Sequence, residues 1–325
     1  MKRFSFALLT FALLLGFTQC GKDPIDEPEQ NDNQSEIVTI TFELPVENKY
    51  RTDFSEFLVD GETQSATINW NKTGYETVYL AIPNKYNQIW DDEEEEYVIT
   101  LAKECAQLIP LRAVCDGGSK LVFEGGVDAK DLMDGTVYTL YYMGNEGSSH
   151  LAKTYDATGA KLTKLVMDLN NQNGTRTSLG DLHFATLAVK AQGVKDSNNK
   201  TIGYNLNALN NNVNFTAGIA ISLFDLEGVS ALQGNAVVNN AISIEYNDVA
   251  RSYEIDYISL GNGGINLNGT SSESFVAMAP NTQANATVEC SKGRYIFENG
   301  VLSNNVYYNY NTKTHEIEPL KWITE

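Results

Sequence analysis

The stretch Ile37-Val38-Thr39-Ile40-Thr41-Phe42-Glu43-Leu44 alternates with a period of two. Val38, Ile40, Phe42 and Leu44 fall on one face, and Thr39, Thr41 and Glu43 on the other. Successive side chains of an extended backbone point to opposite faces, so this is a half-buried β-strand. The same period recurs along the chain. Ile242, Ile244 and Tyr246 alternate with Ser243 and Glu245, an Asn247-Asp248 turn follows, and Tyr253, Ile255 and Tyr257 alternate with Glu254 and Asp256. Two alternating runs around a short polar turn predict a hairpin. Similar runs occur at 75–82, 97–103, 119–124, 136–143, 162–169, 182–190, 213–224, 273–279, 286–290, 294–298 and 305–310. Clusters of Asn, Gly, Ser and Asp lie between them, and these residues serve turns by tolerating positive φ or bonding their own backbone.

Helical signals are weak; Lys103 to Ala106 and Asp128 to Met133 could each supply a turn or two. Many short strands without a long amphipathic helix predict an all-β chain built from two tandem antiparallel β-sandwiches. The length of 325 residues agrees with two domains. Their boundary is expected near Gly180, giving an N-terminal sandwich over 36–180 and a C-terminal one over 181–325.

Ahead of the first strand, Lys2 and Arg3 precede an almost unbroken apolar run from Phe4 to Phe17. Its length suits the core of a signal peptide and is short for a membrane-spanning helix. The run closes with Gly16-Phe17-Thr18-Gln19-Cys20. A Cys at that point is what a bacterial lipoprotein signal presents, where the thiol is acylated and the chain is cut before it. Gln19 departs from the small residue usual before that Cys. Residues 1–19 are therefore expected to be a signal peptide, Cys20 the lipidation site, and 20–35 an acidic flexible tether. The alternative is a plain secretory peptide with Cys20 incidental.

Composition excludes several functions. Against 23 Lys+Arg stand 42 Asp+Glu, a net charge of −19, and the pI is near 4.5. Loss of the two cationic residues of the signal would take −19 to −21. Nucleic-acid affinity rests on Lys and Arg neutralising phosphates, so no nucleic acid is expected as a partner. Anionic membrane surfaces are disfavoured likewise, which leaves the lipid anchor as the route to a membrane. A hydrophobic content of 42% with 17 Tyr and 13 Phe supports a real core.

Signals of catalysis are missing from the sequence. His150, His183 and His315 lie far apart, with no metal-binding spacing between them. There is no G-x-S-x-G elbow. Gly261-Asn262-Gly263-Gly264 joins strand to strand and reads as a turn rather than a phosphate cradle. The run Asp91-Asp92-Glu93-Glu94-Glu95-Glu96 could hold calcium, but it lacks a turn glycine and reads as a solvated loop between strands ending near Trp90 and beginning at Tyr97. No enzyme activity, cofactor or metal is expected. Cys105 and Cys115 could close a short disulfide loop in an oxidising compartment, or remain buried free thiols; both readings stand. Trp70, Trp90 and Trp322 together with the tyrosines would also suit sugar stacking.

Several segments in order resemble the fimbrillin-like proteins, the pilus subunits and related surface lipoproteins of Bacteroidota. Leu108-Ile109-Pro110-Leu111 is similar to a step in the family's first domain. It is followed by Leu121-Val122-Phe123-Glu124-Gly125-Gly126 and by the tyrosine-rich Thr136-Val137-Tyr138-Thr139-Leu140-Tyr141-Tyr142. Leu169 to Gln172 and then Gly180-Asp181-Leu182-His183-Phe184-Ala185 look like the loop and strand that lead into its second domain. Glu318-Pro319-Leu320-Lys321-Trp322 is similar to its terminal strand. His183 stands where Met is usual, and the tyrosine strand lacks a proline that often ends it.

The resemblance implies transthyretin-like Greek-key sandwiches and a mechanism of assembly. The first strand, with Val38, Ile40, Phe42 and Leu44, fills a groove and is displaced after a protease cuts at an Arg in the following loop. Arg51 is the only Arg between residues 3 and 112, so the implied cut lies between Arg51 and Thr52. The implied partners are other fimbrial subunits, joined by strand addition to the vacated edge. A host or bacterial surface ligand would follow if the chain is an adhesin. The implied location is the outer membrane, cell surface or fimbrium. The alternative is a glycan-binding outer-membrane lipoprotein of a nutrient-uptake system.

Overall fold

The computed structural model describes residues 36–45, 53–60, 63–69, 74–115, 120–175, 177–209, 215–224, 229–233, 237–261, 264–268, 274–290, 293–302, 306–311 and 316–321. The signal, the tether, Cys20, Arg51, Thr52, Trp70, His315 and Trp322 lie outside the described residues.

The described chain is almost entirely β. Its first half runs β1 (Ile37–Pro45), β2 (Asp53–Asp60), β3 (Thr63–Asn69), β4 (Gly74–Ile82), β5 (Lys85–Asp91), β6 (Glu96–Lys103), β7 (Gln107–Cys115), β8 (Lys120–Asp128), β9 (Val137–Met143), β10 (Leu151–Tyr155) and β11 (Leu162–Asp168). A 3₁₀ turn over Thr177–Leu182 leads into β12 (Phe184–Lys195) and β13 (Thr201–Ala208). Then come β14 (Thr216–Ala217), β15 (Ala220–Phe224), β16 (Ala231–Gln233), β17 (Ala241–Asn247), β18 (Ser252–Ile258), β19 (Gly264–Asn266) and β20 (Ser274–Met278). The chain finishes with β21 (Asn281–Cys290), β22 (Gly293–Leu302), β23 (Val306–Asn311) and β24 (Glu316–Lys321).

Seven strands close into a barrel in the order β13-β1-β8-β7-β4-β9-β12, with β12 pairing back onto β13. Every neighbour pair is antiparallel except β1–β13, which is parallel. Closure removes the open edges that a flat sheet would expose. Alternation fills the interior: Val38, Ile40, Phe42 and Leu44 of β1 meet Val78, Leu80 and Ile82 of β4, Leu121 and Phe123 of β8, and Tyr204 and Leu206 of β13.

Part of the barrel wall is buried on both faces. Tyr79 and Ala81 of β4, Tyr141 and Met143 of β9, and Phe184 at the start of β12 point outward, yet all are buried. They pack against Leu162, Leu165 and Met167 of β11 and Ile242 and Ile244 of β17, from the sheet β10-β11-β17-β18. Ile221, Phe275 and Ala277 of the sheet β20-β15-β23-β24 join this second layer. On its other face that sheet shares a third core with the sheet β19-β16-β21-β22, built from Phe224, Val276 and Met278 against Leu232, Ile265 and Val288.

The all-β expectation holds, and the expected tandem sandwiches are corrected. The N-terminal part is a closed mixed barrel, because β13 completes the ring by taking β1 on one side and β12 on the other. Strand pairing crosses the position of the boundary expected near Gly180, as β12 pairs with β9 and β17 pairs with β11. The hairpin read at 242–257 is present as β17–β18, with Ile244 opposite Ile255 and Tyr246 opposite Tyr253.

Candidate functional site

Strand β1 is held on both edges. It pairs with β8 over the full register from Ile37↔Asp128 to Pro45↔Lys120, and with β13 from Thr39↔Gly203 to Phe42↔Leu206. Its four alternating apolar side chains are buried as the sequence predicts, with Ile40, Phe42 and Leu44 at 2% exposure or less. The outward face behaves differently from that of β4 or β9. Ile37 is 67% exposed, Thr39 and Glu43 are exposed, and no residue of β1 belongs to the second-layer core. β1 therefore plugs the barrel interior from a wall that faces solvent.

The slot that receives β1 has its own sequence requirements. Phe123 of β8 faces Phe42, with ring centroids 6.0 Å apart and planes tilted by 35°. Gly125 lies opposite Ile40. A Cβ there would sit 2.6 Å from Leu111 Cδ2 and 2.7 Å from the Pro110 carbonyl oxygen, so glycine lets β7 pass close behind β8. Gly203 of β13 faces Thr39, and a Cβ there would lie 3.0 Å from the Thr39 carbonyl oxygen. Tyr204 faces Ile40, and its hydroxyl donates to the Ala129 and Leu132 carbonyls, both at 3.2 Å. Burial, with the Asp134 charge as a smaller cause, raises that phenol above its ordinary range.

Both ends of β1 carry ion pairs: Lys200 Nζ lies 2.8 Å from Glu36 Oε1, and Lys120 Nζ 3.0 Å from Glu43 Oε2. All four side chains are substantially exposed, so such pairs contribute little beside the core. The Ala129 N–H also donates to the Glu36 carbonyl at 2.8 Å.

The remaining residues that the sequence singles out are scattered. Cys105 is a buried free thiol whose Sγ donates to the Pro83 carbonyl at 3.1 Å. Burial, then the Asp131 charge, raises its pKa. A disulfide to Cys115 is ruled out by geometry. β7 runs extended between them, pairing Gln107 with Ile82 at one end of β4 and Cys115 with Gly74 at the other. Nine extended residues span roughly 26–30 Å, against the ~7 Å between Cα atoms that a disulfide tolerates.

His150 Nδ1 lies 2.9 Å from the Asp168 carbonyl, and buried His183 stands 5.8 Å from the Tyr142 ring. Asp91–Glu96 forms the exposed turn of the β5–β6 hairpin, where Asp91 Oδ1 accepts from the Glu93 N–H at 2.9 Å. Among the described residues, no group of three His, Cys, Asp or Glu is placed to hold a metal ion. Nor is any described helix long and apolar enough to cross a membrane.

Reading the sequence misses the strand that closes the slot. The alternation of Tyr204 and Leu206 behind Gly203 is the available signal.

No family model and no curated protein matches the chain. Two solved structures are similar in part. One is a "putative cell adhesion protein" from Bacteroides uniformis ATCC 8492, at 9% identity and TM-score 0.37, covering 88% of this chain and 99% of that one. The other is a fimbrial assembly protein from Parabacteroides distasonis ATCC 8503, at 9% identity and TM-score 0.27, with the same coverage. With identity this low and TM-scores this small, the two likenesses decide neither family nor activity.

Proposed function

We propose that this chain is a non-enzymatic cell-surface lipoprotein, a fimbrillin-like pilus subunit or adhesin, that assembles by exchanging β1 for a strand of another subunit. The observation that supports this reading is the placement of β1. It contributes four core side chains to the barrel, its outward face meets solvent, and it takes no part in the second layer. Like β8 and β13 it could leave without taking a side chain from the other two cores, and of these three strands it alone precedes Arg51.

The energetics require a replacement. Burying four large apolar side chains stabilises by about 6–12 kcal/mol at 1.5–3 kcal/mol each. That is comparable to the whole stability of an ordinary domain, about 5–15 kcal/mol. A barrel emptied of β1 would expose the unpaired edges of β8 and β13 above an apolar trough. A donor strand with apolar residues at alternate positions would fill it, by backbone pairing on both sides. Cys20 would carry the lipid, and cutting between Arg51 and Thr52 would release both anchor and plug.

The test is Arg51→Ala in the full chain. The expected product is a lipid-anchored precursor without polymer ladders on a gel, whereas the unaltered chain is cut to a form beginning at Thr52. Ladders that persist unchanged in Arg51→Ala, or a mature N-terminus blocked at Cys20 in the assembled material, would refute the reading.

A further inference from the structure

The slot that β1 fills discriminates its occupant position by position. Val38 lies opposite Val127, Ile40 opposite Gly125, Phe42 opposite Phe123 and Leu44 opposite Leu121 on β8. All four are at 5% exposure or less, so each place is closed around its side chain. The places differ in shape. At the third, the Phe42 ring has Phe123 on one side and Leu206 of β13 on the other. At the second, Ile40 has Tyr204 on the β13 side and Gly125 on the β8 side, and a Leu111 methyl already takes the space over that glycine. A ring at the second place would overpack, and an aliphatic chain at the third would leave a void. Slipping the strand by two residues misplaces the ring, and slipping it by one turns the apolar face outward. Pairing adds a direction, since the occupant runs antiparallel to β8 and parallel to β13.

Resting on the strand-exchange reading above, we infer that the slot takes its replacement strand from a different protein and not from a second copy of this chain. The strand it accepts carries apolar, apolar, aromatic and apolar residues at alternate positions, in that order from its N-terminus. Residues 52–325, which would remain after the cut, contain no such segment. No aromatic residue there has apolar residues both two and four positions before it and two after it. Tyr142, Tyr246, Tyr257 and Tyr310 come nearest, but Gly144, Asp248, Ser259 and Thr312 stand at the last place, where Leu44 faces Leu121. These tyrosines also lie in strands already paired: β9 with β4 and β12, β17 with β11 and β18, and β23 with β15 and β24. Withdrawing one as a donor would dismantle the sheet it belongs to.

The consequence is a one-way role in assembly. The segment that matches the slot is β1 itself, and it leaves with the anchor. A cut copy then presents a slot without a matching strand to offer, so copies of 52–325 alone cannot link into a polymer. The donor is a second protein whose segment follows Val38-x-Ile40-x-Phe42-x-Leu44 in order and size. Backbone pairing to β8 and β13 supplies the attachment, and the place of the Phe42 ring supplies the selection.

The experiment uses the purified full chain cut after Arg51 by an arginine-specific protease, with N-terminal sequencing to show a single new start at Thr52. Light scattering follows its size. Two fluorescent peptides are then added in excess and brought to equilibrium: Glu36–Pro45 unaltered, and the same peptide with Ile40→Phe and Phe42→Ile together. The cut chain is expected to stay monomeric by itself, to bind the unaltered peptide, and to bind the transposed one at least about tenfold more weakly. The two peptides share one composition, so a difference reports position and not hydrophobicity. Polymer formed by the purified cut chain alone would overturn the need for a second protein while upholding strand exchange. Equal binding of the two peptides would overturn the selection on which the exclusion of self-supply rests. Binding of neither peptide would refute strand exchange itself, and the hetero-donor with it.

Discussion

Phe42 of β1 faces Phe123 of β8 inside the barrel, with ring centroids 6.0 Å apart and both side chains essentially inaccessible to solvent. Phe42→Ala is expected to cost about 3–5 kcal/mol, because it removes a buried ring and leaves a cavity. Glu43→Gln breaks the exposed pair with Lys120 and should cost less than about 1 kcal/mol. Denaturant midpoints of the two variants check the contrast. Equal losses would mean that β1 is held by its charges rather than its core.

Two neighbouring glycines separate backbone approach from simple permissiveness. Gly125→Ala places a methyl group 2.7 Å from the Pro110 carbonyl, a backbone atom that cannot swing away. A loss of about 1–3 kcal/mol is expected. At Gly126 the nearest atom to an added Cβ is Ile37 Cγ2 at 3.1 Å, the end of an exposed side chain. Gly126→Ala should therefore be milder, and thermal unfolding of both variants measures the difference.

Gln172 is buried and serves as an additional rung for β20. Its Nε2 donates to the Leu169 and Ala277 carbonyls, both at 2.7 Å, and its Oε1 accepts from the Ala277 N–H at 2.9 Å. Gln172→Leu keeps similar bulk but strands those buried backbone groups, at an expected cost of about 1–3 kcal/mol for each left unsatisfied. Faster hydrogen exchange at the Ala277 amide would accompany the loss; unchanged protection there would contradict it.

His183 gives the fold a pH dependence. Burial pushes its pKa down to about 4 from an ordinary 6.5, so the folded state keeps the ring neutral where the unfolded chain takes up a proton. Stability from this group is complete above pH 6.5 and declines between 6.5 and about 4, by up to about 3 kcal/mol. Glu146 adds a loss of the opposite group type. Burial disfavours its ionised form, but hydrogen bonds from Arg112 and Thr77 and the charges of Lys153 and Arg112 outweigh this and lower its pKa from 4.5. Its contribution is present above 4.5 and is lost as pH falls through its lowered value. His183→Gln should flatten thermal midpoints between pH 6.5 and 4.5 and leave the loss at lower pH in place. Parallel curves for the two proteins would remove His183 from the account.

Individual strands are legible because each carries its own period of two. β1, the β17–β18 hairpin and the acidic turn after Trp90 follow from local alternation and turn chemistry alone. Strands buried on both faces lose that contrast, as at Tyr141, Tyr142 and Met143 in β9, where neighbours on opposite faces are all buried. Strand partners are a different matter. Thr39 meets Gly203 across more than 160 intervening positions, and no local signal specifies that pairing. The Cys105–Cys115 link that sequence spacing allows is excluded for the same reason in reverse: near neighbours in sequence are held far apart by an extended backbone.

What the sequence alone determined is therefore an all-β chain with a strong negative charge, a first strand with one apolar face, and no catalytic spacing. Periodicity and composition are local quantities, and they suffice for those conclusions. The tertiary structure decided that β13 closes a barrel around β1, that the outer face of β1 meets solvent while Tyr79 and Ala81 of β4 and Tyr141 and Met143 of β9 are covered, and that the β5–β6 ribbon exposes an aromatic face. Each depends on which distant strand supplies the hydrogen bonds and which layer covers a face, and both are set by packing of the whole chain.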